Sequence, residues 1–274
     1  MAAAIYCNWR YEVIAMHPFY GDNKHDLKVM TWNVRCPDGA DMKRQRRIAE
    51  LILKEDADFV LLNEYRIDSC RAMDSLLKIR YSFTVEHRSH RRCGDIFYSK
   101  RQMAHSGYAW YTENGKRKYM KTIKATIAIG GDSVQIFGLH LASNHYSGST
   151  IEEELQSDAS SFDRYKNAQE LRCAHAHWTK EAALQSKHPV IIMGDMNDFS
   201  RSAPLDTFTT NGFSDAWWEG GCGYGHTFHE GWMRLRIDYI LHSEKLELKR
   251  VKVIDTDLSD HNPVVAEFCI TRDL

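Results

Sequence analysis

Eight polar residues stand where short apolar runs of this chain stop or begin. VMTW ends in Asn33, FVLLN in Glu64 and IFGL in His140, while VIIMG leads to Asp195 with Asn197 two residues on. Asp238 lies inside RIDYI, and the turn LSDHNP places Asp260 and His261 just before a last apolar run. Strand alternation aims Asp195 and Asn197 to the same side. If the runs are strands of packed sheets, several carboxylates converge at one rim. Carboxylates crowded in a low-dielectric cleft resist ionisation. A divalent cation relieves that conflict, and oxygen donors of this kind suit magnesium, calcium or manganese. The histidines titrate near neutrality and suit general acid/base work. Carboxylates, amides, a hard cation and imidazoles are what hydrolysis of a phosphate ester requires. Each residue alone also has an ordinary reading: a capping aspartate before His261, an Asx turn at Asp195 and Asn197, a solvated strand end at Glu64, a backbone-satisfying Asn33, a core His140.

The elements that must position these groups are legible from hydrophobic patterning. Runs at 27–32, 59–62, 123–129, 134–139, 190–193, 237–241 and 264–268 are rich in Val, Ile and Phe and read as strands buried on both faces. Residues 43–54 place Ile48, Leu51 and Ile52 on one side of a helix, and 164–186 repeat Tyr165, Ala168, Leu171, His175, Trp178 and Ala182 at helical spacing. Strands interleaved with helices predict a layered α/β domain over 27–274. Residues 1–26 carry no interpretable pattern and are set apart as an N-terminal extension of unknown role. The polar stretch 143–163 reads as a long surface loop over the strand ends.

Composition narrows the partners. Lys and Arg number 36 against 37 Asp and Glu, so bulk charge does not draw the chain to a polyanion, and any such partner needs a local patch. Basic clusters lie at 43–47, 87–92 and 116–124, with Tyr98 and Tyr119 near the second and third; basic residues interleaved with aromatics suit a phosphodiester backbone. The aromatic stretches 213–218 and 224–228 fit either a loop beside the site or core packing. Cys173, His175 and His177 have no second ligand pair, and core packing is the better reading than zinc. The 7 cysteines are odd in number, scattered and never spaced C-x-x-C, which predicts free thiols in a reducing compartment. No secretory leader and no apolar run of roughly 20 residues is evident, so a cytoplasmic protein without membrane insertion is expected.

The stretches KVMTWNVR, DFVLLNEY, FGLHLAS, IIMGDMND, RIDYIL and LSDHNPVVAEF, in that order over 28–268, resemble the endonuclease/exonuclease/phosphatase family, which includes deoxyribonuclease I and the exonuclease III-like abasic-site endonucleases. The resemblance implies a four-layer α/β sandwich, two packed mixed β-sheets flanked by helices, with the active site at one rim. It implies that Asn33, Glu64 and Asp260 form the metal site, and that Mg²⁺ is the cofactor, with Mn²⁺ as a substitute. Asp195 and Asn197 match the pair that orients the nucleophile or leaving group and binds the phosphate. Asp238 matches the carboxylate that orients a catalytic His261, and His140 matches a histidine that contacts the phosphate. The chain departs from the family at Asn63, where glutamine is usual, at Gly138 and Leu139, where threonine is common, and at Ala142, Ser143 and Asn144, where acidic or aromatic residues often stand.

The mechanism implied is in-line attack of water on a phosphate, with His261 as base and Asp195 as the competing candidate. Three functions fit: a nuclease or nucleic-acid-processing phosphodiesterase, a phosphoesterase of a small or lipid-linked phosphate (an inositol phosphate or a sphingomyelin-like head group), and a binding module that has lost its chemistry.

Overall fold

Alternation along two neighbouring segments sets the layers. Leu27, Val29, Phe59 and Leu61 enter one buried cluster, whereas Met30, Trp32, Val60 and Leu62 enter a second on the opposite face. In the computed structural model, which describes residues 14–16, 24–35, 39–66, 68–86, 94–113, 116–144 and 161–272, these segments are strands β2 (Leu27–Asn33) and β3 (Phe59–Tyr65). They are central in a six-stranded sheet ordered β15-β16-β2-β3-β5-β4, with β4 Phe83–Glu86, β5 Gly94–Ser99, β15 Leu246–Val253 and β16 Val264–Ile270. The second six-stranded sheet is ordered β10-β14-β9-β8-β7-β6, from β6 Met103–Glu113, β7 Lys116–Ile129, β8 Asp132–His140, β9 Val190–Asp195, β10 Phe213–Asp215 and β14 Asp238–Ser243. Two short pairs complete the set: β1 (Ala15–Met16) with β11 (Cys222–Gly223), and β12 (Phe228–Glu230) with β13 (Met233–Leu235).

Each large sheet contains one parallel pair, β2 with β3 and β8 with β9, at its centre. A parallel pair needs a crossover. Helix α1 (Met42–Glu55) supplies the first and α3 (Ser161–Leu184) lies in the second; α2 (Arg71–Leu77), α4 (Ala203–Thr209) and α5 (Ala216–Gly220) are short. The sheets pack face to face over the cluster of Val29, Phe97, Ile136 and Ile240, with α1 and α2 outside the first sheet and α3 and α4 outside the second. This is the four-layer sandwich, and the carboxyl ends of β2, β3, β8 and β9 meet at one rim: Asn33 donates across to Asp195, and Asn63 to the Leu139 carbonyl.

All seven expected apolar runs lie in strands, with Ile237 alone just outside β14. The second helix begins at Ser161, inside the stretch expected to be loop, and residues 145–160 of that stretch lie outside the described residues. Its buried face coincides with the expected one only at Ala168 and His175. Ala168, Arg172, His175, Ala176, Thr179 and Ala183 are buried, while Tyr165 and Ala182 are exposed. Half of that face is polar, so a search for apolar spacing finds only part of it. Most of the N-terminal extension lies outside the described residues. No helix among the described residues is long and apolar enough to cross a membrane.

Candidate active site

On the first sheet, Asn33 ends β2 almost fully buried. Its Nδ2 donates to Glu64 Oε1 at 3.1 Å and to Asp195 Oδ2 at 3.0 Å, while its Oδ1 accepts from the Arg35 amide at 3.0 Å. The β3–β5 register shifts between Leu62 and Tyr65, and Glu64 has φ of 51°. A left-handed non-glycine residue in a bulge is a place where the chain re-aims a side chain. Here Asn63 turns between the sheets, and the partly exposed Glu64 reaches the rim. Asn63 Nδ2 donates to Asp95 Oδ1 at 2.8 Å and its Oδ1 accepts from the Asp195 amide at 3.2 Å.

On the second sheet, His140, Asp195 and Asp238 are direct partners across β8, β9 and β14. Gly194 has φ of 138°, and a Cβ there would stand 2.0 Å from the Leu139 carbonyl oxygen, so glycine is what lets β9 press against β8 beside Asp195. Asn197 is also left-handed, at φ of 50°; its amide donates to Asp195 Oδ1 at 2.9 Å and its Nδ2 to the Leu141 carbonyl at 2.9 Å. His261 comes from the turn before β16. Its carbonyl accepts from Trp32 Nε1 at 2.8 Å, its ring meets Phe228 edge-on at 5.0 Å between centroids, and its Nδ1 lies 2.8 Å from Asp238 Oδ2.

These groups share one meeting point, Asp195 Oδ2. His140 Nε2 is 3.6 Å from it and His261 Nε2 is 3.8 Å, and His140 Nε2 is also 4.0 Å from Glu64 Oε1. Asp260 stands at the edge, with Oδ2 3.1 Å from Arg35 Nη1 and Oδ1 accepting from Ser259 Oγ at 3.2 Å. Thus seven of the eight sequence candidates are tied to Asp195 directly or through Asn33, by hydrogen bonds, strand pairing or imidazole–carboxylate approach, and Asp260 touches the site beside Arg35 and His261.

Electrostatics follow from burial. The Asp195 carboxyl is pushed above its ordinary range by burial and then by Asp238. His261 is opposed by burial, but attraction to Asp238 and Asp195 outweighs it and raises the imidazolium to about 10 from 6.5. Metal-free, the ring is therefore a cation at neutral pH, held between two carboxylates.

The donor set fits a hard cation. Oxygen ligands dominate, and Asp238 Oδ1 is buried with no hydrogen-bond partner among the described residues. One ligand atom each of Asp195, Asp238 and His261 lie within 4.8 Å of one another. An imidazolium has no lone pair to offer, however, and its Nδ1 already faces Asp238. At the other end of the site the Glu64 carboxylate is partly exposed and could hold a cation. Asn33 meets both carboxylates with its nitrogen, so it would ligate only with its amide turned over.

Sequence reasoning missed several residues that build the site. Asp95, buried at the start of β5, lies 3.4 Å from Lys121 Nζ and 3.9 Å from His140 Nδ1. Arg172, 1% exposed on α3, donates to Asp198 at 3.0 Å, to the Ala142 carbonyl at 2.8 Å and to Asn144 at 2.9 Å, joining the segments that follow His140 and Asn197. An arginine on the inner face of a helix is the available signal. The basic clusters need correction. In the first, Arg44 alone of the basic residues turns inward, donating to the Val34 carbonyl just past β2 and to the Leu258 carbonyl in the loop before β16, while Lys43, Arg46 and Arg47 are exposed. Residues 87–92 and the side chain of Tyr119 lie outside the described residues. Tyr98 is fully buried and hydrogen-bonded to Tyr65 and Asp74, so it cannot stack on a base. His175 is a core histidine against Thr122, its pKa pushed down to about 3 by burial.

Comparisons with known proteins agree with this architecture. The sequence model of the endonuclease/exonuclease/phosphatase family matches residues 30–261. TDP2 from Caenorhabditis elegans superposes with a TM-score of 0.65 at 20% identity, over 89% of this chain and 74% of that one. The human nocturnin catalytic domain with bound sulfate anion gives 0.66 at 18% identity, over 89% and 94%. An endonuclease/exonuclease/phosphatase protein from Bacteroides vulgatus gives 0.69 at 17% identity, over 90% and 100%. At such identities the likeness establishes the fold. Comparison with curated protein sequences returned no match.

Proposed function

The chain belongs to the endonuclease/exonuclease/phosphatase family, and from that premise we propose that it is a magnesium-dependent phosphodiesterase acting on nucleic acid. The observation that carries this reading is the convergence on Asp195 Oδ2 of Asn33, His140 and His261 from three separate strand ends and turns. With a cation bound, the same donors can face a tetrahedral phosphate, and the human nocturnin catalytic domain, similar in fold, is known with a bound sulfate anion.

Glu64, hydrogen-bonded to Asn33 and with Asp260 at the edge of the same site, would hold Mg²⁺ or Mn²⁺, which supplies positive charge for the phosphoryl oxygens. The protein's own groups divide the remaining work. The role of base falls to Asp195, whose carboxyl is raised by burial and by Asp238 and lies 3.6 and 3.8 Å from the two imidazoles, with His261 as the competing candidate. His261 Nε2–H, His140 and the Asn197 amide group then donate hydrogen bonds to the phosphate as charge develops on it. Asp238 keeps the His261 ring aimed and charged. Free thiols at Cys70, Cys173, Cys222 and Cys269 support a reducing, cytoplasmic setting.

Pure protein and Mg²⁺ incubated with plasmid, single-stranded oligonucleotide and a panel of phosphomonoesters test the reading. Cleavage of nucleic acid that disappears on chelation and in Asp195→Asn is the expected result. Turnover of small esters with nucleic acid left intact would replace it with the small-phosphate reading, and activity on nothing would leave a binding module.

A further inference from the structure

Trp232 is 91% exposed, the highest value among the large apolar side chains of the described residues. Tryptophan is highly buried on average, so one this exposed stands out. It sits at the tip of the β12–β13 hairpin, where Glu230 pairs with Met233 and leaves Gly231 and Trp232 as a two-residue loop. Gly231 has φ of 55°, as a two-residue hairpin turn with glycine at its first central position requires.

The hairpin is braced. Arg234 Nη1 donates to the carbonyls of Gly231 and Met233 at 3.0 and 2.7 Å, and Tyr224 Oη donates to the Arg234 carbonyl at 3.0 Å. Its base is joined to the catalytic turn itself: Phe228 bridges His261, the His229 amide donates to the Asp260 carbonyl, and the Asn262 amide donates to the Thr227 carbonyl. Three residues, two of strand and one of turn, separate Phe228 from Trp232, a span of at most about 13 Å. The braced hairpin therefore carries an exposed indole on an element whose base is hydrogen-bonded to the turn that holds His261.

Resting on the nuclease reading above, we propose that Trp232 is a stacking platform for a nucleobase of a single-stranded substrate, one or more nucleotides away from the scissile phosphate. Base–aromatic stacking is tolerant of sequence and strong enough to set affinity. Phe199, 52% exposed and two residues beyond Asn197, is a second exposed aromatic close to the site. Insertion into a lipid surface is the less suitable use of the hairpin, because the exposed Glu230 beside the tip would be dragged into the bilayer with it.

The test compares parent, Trp232→Ala and Trp232→Phe proteins, with Mg²⁺, on single-stranded oligonucleotides of 2 to 10 nucleotides and on bis(4-nitrophenyl) phosphate, which has no nucleobase. For Trp232→Ala we expect KM on the longer oligonucleotides to rise about tenfold with kcat nearly unchanged. Trp232→Phe should recover most of the loss, and the small diester should be turned over as by the parent. Equal KM values on oligonucleotides in parent and Trp232→Ala would overturn the inference alone. So would an equal loss on the small diester, or loss of binding to phosphatidylcholine vesicles in Trp232→Ala without a change on oligonucleotides. A parent that cleaves no oligonucleotide while hydrolysing the small diester sinks the nuclease reading, and this inference with it.

Discussion

His261 Nδ1 lies 2.8 Å from Asp238 Oδ2, and Asp238 is in turn the direct strand partner of Asp195, whose Oδ2 lies 3.8 Å from the other nitrogen of the same ring. One imidazole is thus clasped between carboxylates on adjacent strands of the second sheet, although it belongs to a turn leading into the first. The pairing couples the two sheets and sets the charge of the ring.

If Asp195 and His261 act on the same phosphate, His261→Ala and Asp195→Ala should each lower kcat at least about a hundredfold, the scale of general acid/base catalysis. The double variant should lose far less than the product of the two, because the residues act as a unit. Steady-state kinetics on one oligonucleotide decides; unchanged turnover in both single variants rejects the assignment.

The charge on His261 also predicts a pH dependence. Its folded pKa, raised to about 10, exceeds the ordinary 6.5, so the metal-free folded state binds the proton more tightly than the unfolded chain. The stability it contributes is fully present below about pH 6.5 and is lost as pH rises through about 10. Denaturation of metal-free parent and His261→Gln from pH 6 to 10 should show a gap that narrows as pH rises. A gap that widens contradicts the assignment.

Gly194→Ala should destabilise the fold by more than about 2 kcal/mol, since an alanine must both adopt an unfavourable φ and avoid a backbone carbonyl. Urea denaturation measures this. A change within about 0.5 kcal/mol, the ordinary surface range, would mean that β9 can move away from β8.

Arg172→Met leaves the Asp198 charge buried without its partner, which costs about 3–5 kcal/mol. Activity of whatever remains folded should fall as well, because the segments after His140 and Asn197 lose their common anchor. Stability equal to that of the parent would show that the loops hold themselves.

Glu64→Gln should raise the Mg²⁺ concentration needed for half-maximal activity at least about tenfold, with little change in Tm because the side chain is partly exposed. A Mg²⁺ titration of turnover checks it, and an unaltered half-maximal concentration would place the cation elsewhere.

Much of this architecture is legible in the sequence because strands buried on both faces leave nearly unbroken apolar runs, as β2, β3, β8 and β9 do. Those are the strands whose ends carry Asn33, Glu64, His140 and Asp195. Edge strands are harder: β15 alternates between buried and exposed residues, and β6 is mostly part-exposed, so neither forms an apolar run. The supporting polar residues are hidden for a related reason. Lys121 lies within a basic cluster that resembles a solvated face, yet its ammonium is turned toward buried Asp95. Arg172, His175 and Thr179 face inward from α3, where spacing arguments look for apolar side chains. Such residues are identified by the partners they meet across the fold, and those partners are distant in sequence.

The proposed catalysis requires a hard cation seated at Glu64, beside the carboxylate that His140 and His261 share. Anomalous diffraction from a crystal soaked in Mn²⁺ locates it directly. The predicted result is a manganese peak bonded to the Glu64 carboxylate at the rim where the two parallel strand pairs end. Manganese bound only at another face, with the Glu64 carboxylate bare, would contradict it.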